Sequence, residues 1–364
     1  MCLRRHGREK QHHDIITNHI KRQHTMDVLL SLPILSYLLS PASASWSTSL
    51  NLLFFYMTWT TLVLSHTPLR IRLLGSLAIR IVLYLIPSLL TLLFDAAVPS
   101  LADSIKLGGR ASLPPRDARI LARQVALVVF NLALVTGVEG ASSLGFSYVF
   151  KDNDFKTTST LPLPWQLAKH IVLLLTAREV LTYYIHRYTL HSSSTIGKYH
   201  RRFAHARAAA PYSLLLFADH PIPLLLQRFV PIYLPALALR PHLLTYFLFL
   251  SLCTAEETLS LSGYSIVPGI IMGGMTRRTA VHYASGGDCN YGAWGFLDWV
   301  NGTGRGRDVL EDVKAEAEKH HVKERSAKKV DSGMGAIQDG IDKLTNGNED
   351  GRRRSSRLRS KRAS

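Results

Sequence analysis

Residues 184–221 open as Tyr-Ile-His186-Arg-Tyr-Thr-Leu-His191, continue through Lys198-Tyr-His200-Arg-Arg-Phe-Ala204-His205, and close as Ala218-Asp219-His220-Pro221. Five of the chain's sixteen histidines fall in this stretch, directly after one apolar run and directly before another. Neutral imidazole is the commonest protein ligand for a transition metal, and histidines at the ends of membrane helices can converge on one ion. A single interfacial histidine is explained as an amphipathic side chain reaching the headgroups. An ordered set of five is better explained by a shared site. The spacing adds a condition: residues five apart on an α-helix diverge by about 140°. His186 with His191, and His200 with His205, therefore need a helix end, a π-bulge or a broken turn to act together. The serines Ser192 to Ser194 allow such a break.

Outward from this stretch, the apolar residues are blocked into runs at 46–65, 71–94, 121–138, 165–185, 224–239 and 243–261. Several approach the ~20 residues that cross a bilayer. The fold class is all-α: a polytopic membrane protein with about four to six transmembrane helices and a histidine-bearing cap. Arg80 lies inside the second run and must face protein or pair with a carboxylate, because an arginine facing lipid is costly. Pro87 predicts a kink in the same helix. The last two runs, joined by Arg240-Pro241-His242, read as a returning hairpin. All ligands of one metal must lie on one face, and counting crossings from that requirement puts both termini, the histidine region and the 95–120 loop in the cytosol. Arg70 and Arg72 then sit against the positive-inside preference.

The net charge is +17, from 43 Lys+Arg against 26 Asp+Glu, and is concentrated in the tails. Tails of this kind hold a protein against an anionic leaflet. No aromatic–basic interleaving or nucleic-acid module accompanies them, so nucleic acid is excluded as a partner. Cys2, Cys253 and Cys289 have neither zinc spacing nor a disulfide framework. The chain divides into a basic tail with an interfacial helix (1–45), helices and loops (46–164), the histidine-bearing domain (165–303) and a charged tail (304–364). His170, His242, His320, His321 and the histidines before residue 25 are weaker metal candidates.

From Trp165 to Thr303 the order of motifs resembles the fatty acid hydroxylase and sterol desaturase superfamily of membrane di-iron oxygenases. His186 and His191 match its first histidine pair, and His220-Pro221 its His-Pro. Ser262-Gly263-Tyr264 matches its hairpin exit, and Asn290-Tyr291-Gly292 with Asp298 to Gly302-Thr303 its ending. The second box departs, with Ala204 before His205 where adjacent histidines are expected. The third is reduced to His282, with Ser285 downstream, and Leu261 stands where relatives often carry histidine. The resemblance implies a metal site of His186, His191, His200, His205, His220 and His282, six where the family uses eight or more around two irons. Asp219, Asp288, Glu256 and Glu257 are carboxylates able to fill gaps, since iron accepts oxygen ligands.

What the resemblance implies is an endoplasmic-reticulum enzyme that hydroxylates or desaturates a sterol, fatty acyl or sphingoid lipid with dioxygen. Its electrons would come from NAD(P)H through a separate donor such as cytochrome b5. The alternative is a degenerate, non-catalytic member that keeps the scaffold and binds lipid or a partner.

Overall fold

The computed structural model describes residues 46–206, 209–267, 270–306 and 311. The expected interfacial helix and N-terminal histidines, and nearly all of the charged C-terminal tail with His320 and His321, lie outside the described residues. Within them the chain is helical, with two isolated β-bridges and no strand. The long elements are α1 (Trp46–Ser65), α2 (Pro68–Ala97), α3 (Ala118–Phe150) and α4 (Pro164–Ile185). After these come α5 (Thr195–Phe203), α6 (Pro221–Leu239), α7 (Leu243–Ser260) and α8 (Ile270–Ala284). By length and composition α2, α3 and α6 can cross a membrane, and a shorter apolar stretch, Leu50–Ser65, lies within α1. Phe54, Leu64, Leu93, Phe130 and Leu144 are exposed along these helices. An apolar surface of that extent suits lipid, not water. The protein is an all-α membrane protein, as its sequence pattern predicts.

The helices alternate in direction, so the connections sort to two ends. At one end Lys156 bridges to His242, and the Trp59 indole donates to Thr158 O at 2.9 Å. At the other, Lys106 bridges to Tyr264 and Leu107 N donates to Gly263 O. The described residues of segments 98–117, 186–220 and 261–306 together form the cap at this second end. The Ser262-Gly263-Tyr264 turn ties it down. Gly263 has φ +71°, and a Cβ there would lie 2.5 Å from Pro211 O, so glycine lets two backbones touch. The Tyr264 hydroxyl donates to Asp95, which also pairs with Lys106 at 2.5 Å.

Three π turns interrupt the helices. Two precede a proline by the same offset: Ile81–Leu85 before Pro87, and Leu225–Phe229 before Pro231. Proline lacks an N–H and crowds the carbonyl four residues back, and a wider turn accommodates both defects. At Pro87, where a kink is expected, the helix carries a π turn just before the proline. The third, His186–Leu190, has no proline after it, only Ser192 to Ser194.

The sequence reading ended the third span at Val138, where Glu139 and Gly140 interrupt the apolar run. The helix instead continues to Phe150, because Glu139 is neutralised inside the bundle. Arg80 reaches it at 2.5 and 3.2 Å, Ser76 at 2.8 Å and the Tyr246 hydroxyl at 3.0 Å. Arg80 is buried against protein, as the cost of exposing it to lipid requires. Arg72 pairs with Asp154 and donates to Glu139 O, so its charge too is compensated at the far end. Removing one partner strands a buried charge, whereas replacing both with apolar groups is near neutral. Glu139→Ala should destabilise the detergent-solubilised protein by about 3–5 kcal/mol, with most of the loss recovered in Arg80→Met/Glu139→Leu. Thermal unfolding of the two variants beside the wild type checks this.

Candidate metal centre

The π turn at His186–Leu190 positions the first histidine pair. His191 N donates to His186 O at 3.0 Å, an i→i+5 bond that widens the turn and stacks residues five apart. Their Nε2 atoms come within 3.2 Å. The second pair uses a helix end. Ser194 caps α5 by accepting from Gly197 N at 3.1 Å, and a Cβ on Gly197 would lie 2.2 Å from Ser192 O. His200 faces inward from α5, which ends at Phe203, so His205 follows a new direction. The fifth histidine, His282, comes from the last turn of α8.

The nearest ligand atoms of His186, His191, His200 and His205 all lie within 4.8 Å of one another. The His282 ring joins them, its centroid 4.7 Å from His186, 5.1 Å from His191 and 4.9 Å from His205. His220 does not join. Its ring stacks on Tyr199 at 4.4 Å and packs edge-on to Phe203, while its Nδ1 accepts from Ile222 N and so caps α6. A histidine before proline at a helix start serves well as an N-cap, and sequence order alone does not separate that role from ligation. His242 does the same for α7 at the opposite end of the bundle.

Three of the five rings are anchored through Nδ1. His186 Nδ1 meets Tyr291 O at 2.9 Å, His282 Nδ1 meets Cys289 O at 2.5 Å, and His200 Nδ1 meets Asp219 at 2.6 Å. A carbonyl oxygen only accepts, so Nδ1 carries the proton in the first two and the Nε2 lone pair points into the cluster. Anchoring of this kind is the usual support of a metal-bound imidazole. The inward nitrogens of His200, His205 and His282 are buried without a hydrogen-bond partner. Stranded buried acceptors are rare unless something absent from the protein chain completes them. Burial first, then the neighbouring imidazoles, holds the ring pKa of His191 down to about 2. Burial likewise pulls His282 down to about 4, and pushes His186 and His205 below the usual range. All four stay neutral with lone pairs free for an ion. A set of neutral, preoriented nitrogens fits a transition metal.

Three of the four carboxylates considered as extra ligands are occupied elsewhere. Asp219 supports His200 and accepts from His220 N. Glu256 and Glu257 pair with Arg178 at 2.6 and 2.8 Å, and Arg228 adds a 3.0 Å contact to Glu257. Asp288 is exposed. Among the described residues the donor group contains no carboxylate.

The residues missed by sequence reasoning are those that hold the anchors. Asp298 accepts from Tyr291 N and Gly292 N at 2.8 Å each and from the Thr303 hydroxyl at 2.7 Å. That loop aims the Tyr291 carbonyl at His186. The signal was present as Asn290-Tyr291-Gly292 and Asp298 to Thr303, recognised as landmarks but without a role. Gly287 is a second case. With φ +93°, it lies against His191, and a Cβ there would meet the ring at 2.0 Å.

A cavity of ≈ 60 Å³ beneath the cluster is lined by His186, His282, Thr182, Leu261 and the Arg178–Glu257–Arg228 group. A larger one of ≈ 650 Å³ lies against α8, between Ala280, Val281, Ala284 and Leu107, with Arg277, Arg278 and Arg305 on its wall.

An apolar helical bundle with an imidazole cluster at its cap defines a membrane protein whose cap carries a donor set able to hold a metal ion. Residues 171–303 match the family model of the fatty acid hydroxylases, which supports the resemblance of this part of the chain to the fatty acid hydroxylase and sterol desaturase superfamily. No solved structure matches it.

Gly287→Ala should displace the His191 ring and lower affinity for added ferrous iron at least tenfold. Gly286→Ala, also at positive φ (+71°) but with open space at its Cβ position, controls for backbone strain and should lower it much less. Asp219→Asn should cost about 10–100-fold in affinity, the usual loss when an imidazole's outer partner is weakened. Metal titration of the purified full chain reads all three.

Proposed function

We propose that the protein is a lipid-modifying oxidoreductase of the endoplasmic-reticulum membrane that works with histidine-bound iron. The observation that carries this reading is the inward set of Nε2 lone pairs, three of them fixed through Nδ1, at the capped end of an apolar bundle. Bound iron supplies the dioxygen chemistry by which the family oxidises an unactivated C–H bond. The reducing equivalents come from NAD(P)H through a separate donor such as cytochrome b5, docking on the cytosolic cap. Both termini lie on that cytosolic side.

The chain's own residues have definable tasks. Tyr291, Cys289 and Asp219 keep three imidazoles in register. The Arg178–Glu257–Arg228 group walls the small cavity below His186 and His282. The volume against α8 is within the ~300–1,000 Å³ of ligand sites, and its small apolar residues beside three guanidinium groups suit an amphiphile with a polar or anionic head. A sterol, acyl or sphingoid lipid is the substrate class.

The test is lipid profiling of cells that lack the protein, complemented with wild type or with His200→Ala. Wild type should restore an oxidised or desaturated lipid, and His200→Ala should leave it at least 100-fold below the wild-type level at equal membrane abundance. Full restoration by His200→Ala would replace the catalytic reading with that of a lipid-binding scaffold.

A further inference from the structure

We infer that the cluster holds one metal ion, not two, with His186, His191, His200, His205 and His282 as its donors. This rests on the reading that the cluster binds a metal. It departs from the di-iron centre that the family resemblance implies.

The first argument is size. Imidazole nitrogens sit about 2.0–2.1 Å from a bound ion such as zinc, so two donors to one ion are at most about 4.2 Å apart. The donor atoms of His186, His191, His200 and His205 lie within 4.8 Å of one another, which small ring rotations bring into that range. Two ions in a shared site stand about 3.5–4 Å apart, and their outer donors would then span up to roughly 8 Å. These four donors are drawn around one centre, and the His282 ring lies beside them, its centroid 4.7 Å from that of His186.

The second argument is the count. Two ions would need more donors, and apart from the exposed Asp288 the neighbouring candidates are committed elsewhere. Ser285 Oγ bonds His282 O and Cys289 Sγ, Ala204 offers no donor, and Leu261 is packed into the apolar core. Asp219 is used on His200, and Glu257 lies between Arg178 and Arg228. His220 is turned away onto Tyr199.

The experiment uses the full chain, purified in detergent without chelators from iron-sufficient cells. Metal per chain is measured by mass spectrometry for wild type, His220→Ala and His186→Asn/His282→Asn. Subtracting the double variant removes ions held by other histidines, such as those before residue 25. The expected difference between wild type and the double variant is about one ion per chain, with His220→Ala equal to wild type. Metal-edge X-ray absorption of wild type should show nitrogen scatterers and no metal–metal vector, and it decides the matter even where the double variant does not fold. A difference of two ions, or a metal–metal vector, overturns the single-ion inference and leaves metal binding intact. Loss of the ion in His220→Ala overturns the five-donor set. A wild type without metal overturns the metal reading itself.

Discussion

Three buried and two half-buried imidazoles can share one small space only if their lone pairs turn toward the middle. Much of the cap can be understood as the means to that end. Each ring nitrogen facing outward must find an acceptor, or a polar N–H is buried unpaired at a cost of ~1–3 kcal/mol. The 286–303 loop supplies two of these acceptors, the carbonyls of Cys289 and Tyr291. Asp298 in turn holds that loop by gathering two backbone N–H groups and the Thr303 hydroxyl. Ring geometry is thus set by residues that never face the centre.

The bundle below the cap has a related problem in a drier medium. Charges among apolar helices persist where they are paired and their remaining hydrogen bonds are satisfied. Glu139 meets this with Arg80, Ser76 and Tyr246, drawing together α2, α3 and α7. Arg178 meets it with Glu256 and Glu257, fixing α4 to α7 directly below the imidazoles. Since α4 runs straight into the π turn that presents His186, this pair couples the register of the bundle to that of the centre.

How much of this could be read from the sequence depended on whether a signal was local. Apolar runs gave the six long helices and their order, since hydrophobic length is a property of each segment. The five-residue spacing of His186 and His191 required a distorted turn, and a π turn is found there. The continuation of α3 past Glu139 was not legible, because a carboxylate ends an apolar run unless its partner, 59 residues away, is known. His220 illustrates the converse. Its place in the motif order suggested a ligand, yet His-Pro at a helix start is also an N-cap, and only the path of the chain shows where the ring goes. The anchoring carbonyls were invisible for a simpler reason, that backbone groups carry no sequence signature.

The central claim is that these five rings surround a metal through their inward nitrogens. Anomalous scattering at the iron edge from crystals of the full chain tests it most directly. The account predicts a single peak enclosed by His186, His191, His200, His205 and His282, with Nδ1 of His186 and His282 still on the Tyr291 and Cys289 carbonyls. A peak bound by His220, or iron-loaded crystals with no peak among the five rings, would contradict it.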